Sequence, residues 1–167
     1  MTTLKTTLKK WTRDAERIAL LGVGSELRGD DIAGLLAAKH FGMSSKKHKG
    51  RVTSKVFIGD TAPENLTGEI KRFKPTHLII VDSADMGKKP GTVRAIDPNK
   101  AGGLSFCTHK LPVKILTDYI AESTGCQIMI IGIQPKRIEF CGVPSKEIQK
   151  SAKTIADTIA QSIPKRS

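Results

Sequence analysis

RIALLGVGSELRGDDIAGLLAAKHFG, residues 17–42, is the stretch on which the fold turns. Its first part, Arg17 to Gly24, carries Ile18, Ala19, Leu20, Leu21 and Val23 with no polar break. Such a near-continuous apolar run suits a strand buried on both faces of a parallel sheet. After a polar turn, Ile32, Leu35, Leu36 and Phe41 recur near one stripe, so a helix is expected from about Asp31 to Phe41 with Gly42 as its stop. A buried strand, a glycine turn and a helix, in that order, open an α/β fold.

The same alternation continues outward. Arg51 to Ile58 reads as a strand through Val52, Val56 and Ile58, after a polar loop at Lys46 to Gly50. Glu64 to Phe73, preceded by Pro63, reads as a short helix. His77 to Val81 is the strongest strand of all, ended by Asp82. A Pro90-Gly91 turn leads to an edge strand at Thr92 to Ile96. Pro112 suits a first helical turn, and Ile115, Leu116, Tyr119 and Ile120 carry that helix to Gly125. Gln127 to Ile133 is another apolar strand, and Lys136 to Phe140 is expected as a second short edge strand. Ile148, Ala152, Ile155, Ile159 and Ile163 recur at helical spacing behind Ser145, a fitting N-cap. The expectation is a three-layer α/β/α single domain, residues 17–167, with a twisted, mostly parallel sheet between helices. Residues 1–16 precede it as a basic extension, in which Leu4, Leu8 and Trp11 favour a short amphipathic helix.

Composition narrows the function classes. No apolar run approaches the roughly 18 residues that a membrane span needs, so membrane insertion is not expected. Met1 to Glu16 lacks the apolar core of a secretory signal, and Asp14 and Glu16 argue against a transit peptide. Cys107, Cys126 and Cys141 form no CxxC pair and leave one odd, which points to a reducing, cytoplasmic setting. The formal net charge is +12. Its lysines and arginines are dispersed, however, and few aromatic residues are present to stack on bases, so no nucleic-acid partner is expected. An acidic protein surface remains compatible with that charge.

Gly22-Val23-Gly24-Ser25-Glu26-Leu27-Arg28-Gly29 stands where a dinucleotide fingerprint would, after a strand and before a helix. The pattern breaks at Leu27, where a third glycine is required. A P-loop breaks too, because Gly29 is followed by Asp30-Asp31 rather than Lys-Ser. Two carboxylates at a helix start would repel a phosphate. Aspartates there ordinarily cap N–H groups, worth about 0.5–2 kcal/mol. One suffices for that, which leaves the other available at the carboxyl edge of the sheet, where open α/β folds bind ligands.

Asp82, at the end of the next buried strand, would lie at the same edge if the two strands are parallel neighbours. Asp85 follows in the loop as a weaker candidate. An aspartate at a strand end serves a turn about as often as a function. His109 lies in a loop just before a helix and could reach that crevice; a lone loop histidine more often does nothing special. His40, His48 and His77 have weaker claims, in a helix, in a basic loop and at the far end of a strand. Two carboxylates and an imidazole make a mixed oxygen and nitrogen site for a borderline divalent metal such as zinc or nickel.

Together these segments resemble the hydrogenase maturation proteases. The matching pieces run from Gly22-Val23-Gly24 through Gly29-Asp30-Asp31 to Thr61-Ala62-Pro63-Glu64-Asn65 and Val81-Asp82-Ser83-Ala84-Asp85-Met86-Gly87. They continue with Pro90-Gly91, Asp97-Pro98, Thr108-His109-Lys110-Leu111-Pro112 and Ile131-Gly132-Ile133-Gln134-Pro135, and are most similar to the formate-hydrogenlyase-type and archaeal branch. The resemblance implies a cytoplasmic endopeptidase, classed with the aspartic type, acting as a monomer. It would remove a C-terminal peptide from a nickel-iron hydrogenase large-subunit precursor after nickel insertion. It further implies that Asp31, Asp82 and His109 are the working trio, recognising nickel carried by the substrate. Zinc or cadmium could stand in for nickel in the isolated protein. Two departures affect the loop: Ser25 where the family usually has asparagine, and Ile32 where it has glycine, a residue that opposes left-handed backbone. The alternative reading is a non-catalytic metal-binding maturation chaperone on the same fold.

Overall fold

The computed structural model describes residues 3–46, 51–106 and 111–165. Its strands are β1 (Arg17–Val23), β2 (Thr53–Asp60), β3 (His77–Asp85), β4 (Val93–Ile96), β5 (Ser105–Phe106) and β6 (Gln127–Ile133). Its α-helices are α1 (Leu4–Trp11), α2 (Ala33–Ser45), α3 (Thr67–Phe73), α4 (Val113–Thr124) and α5 (Lys146–Ser162). The main sheet has the order β2-β1-β3-β6-β4, and β5 pairs with the far end of β3. The β1–β2, β1–β3 and β3–β6 pairs are parallel, while β4 and β5 pair antiparallel.

The apolar runs become central strands because each side chain has a core to enter. Ile18 and Leu20 of β1, Ile79 and Val81 of β3, and Met129, Ile131 and Ile133 of β6 join one cluster with α1, α2 and α5. The alternate residues Ala19, Leu21, Val23, Leu78, Ile80 and Ile130 join the other, with Ile70 of α3 and Leu116 and Ile120 of α4. The period-two side-chain alternation of a strand thus feeds two cores. This is the three-layer, mostly parallel arrangement expected.

Several boundaries differ from the sequence reading. The helix after β1 begins with a 3-10 turn, Gly29–Ile32, and then runs as α2 through Gly42 to Ser45. Gly42 does not stop it, because its backbone is helical and packs near Val56 of β2. β2 buries Phe57, while Ile58 is 37% exposed on the other face. β3 does not end at Asp82. Asp82 and Ser83 pair with Gly132 and Ile133, and Ala84 and Asp85 pair with β5. Lys136 to Phe140 is a loop rather than a strand. At the other end of the chain, α1 buries Leu8 completely and Thr12 donates to the Ser162 carbonyl at 2.7 Å, fastening α1 to α5.

Candidate active site at the carboxyl edge

The chain leaves β1 through α2 on one face of the sheet towards β2, and leaves β3 through α4 on the other face towards β6. β1 and β3 are neighbours, with Gly22 level with Val81. Their carboxyl ends therefore flank a topological switch point, where an open α/β sheet leaves a crevice. Asp31 follows β1 and Asp82 lies in β3 one residue beyond Val81, so both expected carboxylates belong to this edge.

Two close backbone approaches place them. A Cβ added to Gly34 would lie 2.1 Å from the Val81 carbonyl oxygen and 2.2 Å from that of Val23. The start of α2 thus sits directly on the ends of both strands, three residues after Asp31. A Cβ added to Gly24 would lie 2.1 Å from the Asp31 carbonyl oxygen. That carbonyl also accepts from the Ser25 amide at 3.1 Å, closing the loop on itself. Only glycine permits such contacts.

Asp31 and Asp82 are buried, at 0% and 1% exposure. Asp82 Oδ1 accepts from the Ser83 amide at 2.7 Å. Taking two carboxylates out of water in one crevice is costly unless cations or donors compensate. His109 falls outside the described residues. The segment that holds it starts after Phe106, whose partner across β5 and β3 is Ala84, two positions beyond Asp82. Among the described residues no group of three His, Cys, Asp or Glu side chains comes together to hold a metal.

Asp30 has a different task. Its Oδ2 accepts from the Lys136 amide (2.8 Å), the Arg137 amide (3.2 Å) and the Ser145 hydroxyl (2.9 Å), and its Oδ1 from the Ser145 amide (2.6 Å). In return its own amide donates to the Arg137 carbonyl at 3.0 Å. Asp30 is therefore not a cap of its own helix but a staple for the 134–145 loop. The same bonds explain why Lys136 to Phe140 is no strand, since its first two amides, of Lys136 and Arg137, are turned to a carboxylate instead of a ladder.

The departures in the loop are accommodated. Ser25 Oγ accepts from the Leu27 amide at 3.2 Å, a local turn bond. Ile32 sits at φ −74°, ψ −7°, so the position needs no left-handed backbone. Asp85 is exposed and paired. Gln134 Nε2 donates to it at 3.1 Å and the Gly87 amide at 3.1 Å, which hold its carboxyl below the usual range in that order. Gln134 Oε1 accepts from the Met86 and Lys88 amides at 2.7 and 3.2 Å. Gln134 thus clamps the loop after β3, a role the sequence reading missed. The buried amide in Gly132-Ile133-Gln134-Pro135 was the available signal. His40 is half-buried in α2, His48 lies outside the described residues, and His77 is buried at the opposite, amino end of β3.

A family model described as hydrogenase maturation protease (HycI) matches residues 44–162. The chain belongs to the hydrogenase maturation proteases. It is 35% identical over 137 residues to the hydrogenase 3 maturation protease of Escherichia coli, covering 81% of this chain and 84% of that one. The crystal structure of the nickel-iron hydrogenase maturation protease HycI of Thermococcus kodakarensis superposes with a TM-score of 0.83 at 32% identity, over 94% of this chain and 98% of that one. The solution structure of the endopeptidase HycI of Escherichia coli gives 0.75 at 34% identity, covering 87% and 90%. As a hydrogenase maturation protease the chain is an endopeptidase, which sets aside the non-catalytic chaperone reading.

Proposed function

We propose that this maturation protease removes a C-terminal peptide from a nickel-iron hydrogenase large-subunit precursor, in the cytoplasm, once nickel is in place. Asp31, Asp82 and His109 recognise the nickel that the precursor carries. The observation that carries this reading is the pair of buried carboxylates, Asp31 in the turn after β1 and Asp82 within β3, at the switch point between these adjacent parallel strands. Asp30, the other aspartate of the turn, is already committed to four hydrogen bonds. Among the described residues no helix is long and apolar enough to cross a membrane.

Chemically, nickel held by the precursor's own thiolates gains oxygen contacts from the two aspartates and a nitrogen contact from His109, a donor set suited to a borderline ion. Docking is then conditional on the metal, so an empty precursor is not seated. Hydrolysing an amide at an enzymic rate needs at least about 8 kcal/mol of barrier lowering. Fixing the scissile bond against the crevice supplies part of this. A positioned carboxylate acting on water supplies a further share.

Purified chain incubated with nickel-loaded precursor should produce a mass loss equal to the C-terminal peptide, and none with nickel-free precursor. Equal cleavage of both precursors would remove metal recognition from the reading. Asp31→Asn and Asp82→Asn should each abolish processing while shifting the unfolding midpoint little, because neither change alters volume.

A further inference from the structure

Among the described residues, the three most exposed of the large apolar side chains are Phe140 at 74%, Val143 at 70% and Leu27 at 59%. Scattered single apolar residues on a surface need no explanation. These three are not scattered. They stand on two loops, 24–31 and 134–145, that are built into one body. The Cys141 amide donates to the Leu27 carbonyl at 2.7 Å, and the Asp30 amide to the Arg137 carbonyl at 3.0 Å. Buried Asp30 gathers the Lys136, Arg137 and Ser145 donors from within the second loop. Gly142 and Gly29 approach so closely that a Cβ on Gly142 would lie 3.2 Å from the Gly29 Cα.

Asp30 and these backbone bonds thus tie together two loops that carry three large apolar side chains out in water. The body they stand on is continuous with the crevice, because Asp30 holds it and the next residue is Asp31. The rim therefore adjoins the turn that carries Asp31, where the reading above places the cleaved polypeptide. Exposed Glu26 and Arg28 flank Leu27 in the chain, and exposed Arg137 and Glu139 precede Phe140, so the charges along the rim are mixed and the apolar side chains are its distinguishing feature.

We propose that Leu27, Phe140 and Val143 form a docking surface for the substrate polypeptide, gripping an apolar stretch of the precursor while its cleavage region lies in the crevice. This rests on the reading of the substrate given above. Pre-formed loops lower the ordering cost of binding, which is the physical return for keeping them rigid.

The test uses the full chain, nickel-loaded precursor and the double variant Phe140→Ser/Val143→Ser. Its KM for processing should rise about tenfold or more with kcat little changed, as expected when binding contacts are removed. The unfolding midpoint should stay put, since both side chains are exposed, and Phe140→Leu should restore most of the affinity. An unchanged KM, or a fall in kcat alone, would overturn the proposal. So would loss of self-association with normal processing, which would assign the surface to a second copy of this chain. If the unaltered chain leaves the precursor intact, the functional reading fails, and co-elution of precursor with the chain becomes the readout. Co-elution lost in the double variant supports the docking surface, and co-elution retained overturns it.

Discussion

Asp30 and Asp31 are chemically identical neighbours that the fold sends to different work. Asp30 turns towards the 134–145 loop and satisfies two backbone amides at its Oδ2, with the Ser145 amide and hydroxyl completing its shell. Asp31 stays at the crevice with its backbone held by Ser25 and Arg28. The two should therefore separate cleanly on mutation. Asp30→Ala would leave buried donors without an acceptor and should cost about 3–5 kcal/mol of stability, measured by urea unfolding. Asp31→Asn should be nearly neutral in the same measurement and inactive in processing. Similar stability losses for both would mean that Asp31 too is a structural tie. The pair itself was legible in the sequence, but the cap expected of one of them was not borne out, since neither the 3-10 turn nor α2 has a side-chain cap. Which aspartate did what was not legible, because the partners of Asp30 lie more than a hundred residues away along the chain.

At the scale of elements, the site depends on how closely α2 can approach β1 and β3. Gly34 makes that contact possible, with Cβ-equivalent distances of 2.1 and 2.2 Å to two strand carbonyls. Gly34→Ala should push the helix start off the sheet, lower stability by about 3 kcal/mol and reduce processing, since Asp31 moves with the helix. A calorimetric midpoint and a processing rate would check both, and a normal rate at normal stability would show that the helix start is not what positions Asp31. Strand and helix positions were read well wherever apolar periodicity was strong, as in Arg17–Val23, Gln127–Ile133 and Lys146–Ser162. The reading failed where a tertiary bond outweighed local pattern. Lys136 to Phe140 lost its strand to Asp30, and β3 ran past Asp82 because β6 and β5 offered it partners.

Across the whole molecule, the two cores meet at the sheet, and the amino edge is closed by α1 opposite the crevice. His77 joins the two there. It is 2% exposed, stacks edge-on against Trp11 at 4.7 Å, and has Nδ1 3.0 Å from the Thr76 hydroxyl and Nε2 3.5 Å from Asp14. Burial pushes its pKa below the ordinary 6.5, with Asp14 opposing part of that. The unfolded chain therefore binds the proton more readily than the folded one. The stability His77 contributes is fully present above pH 6.5 and is lost as pH falls through the depressed folded value. Replacing it in His77→Phe should flatten the stability–pH curve between pH 7.5 and 5.5 (a window set by about one unit either side of the free imidazole), as read by urea unfolding. An unchanged slope would place the acid sensitivity elsewhere.

By itself the sequence determined most element types, the α/β layering and the family, and it singled out Asp31 and Asp82. Those follow from side-chain period, from glycine and proline placement, and from motif order, all of which are properties of short stretches. The tertiary structure alone decided that β1 and β3 are parallel neighbours whose onward helices leave on opposite faces. That puts Asp31 and Asp82 at one edge and assigns Asp30 to the loop carrying Phe140 and Val143. Strand order and long-range hydrogen bonds depend on which distant surfaces pack together, and no local pattern encodes that choice.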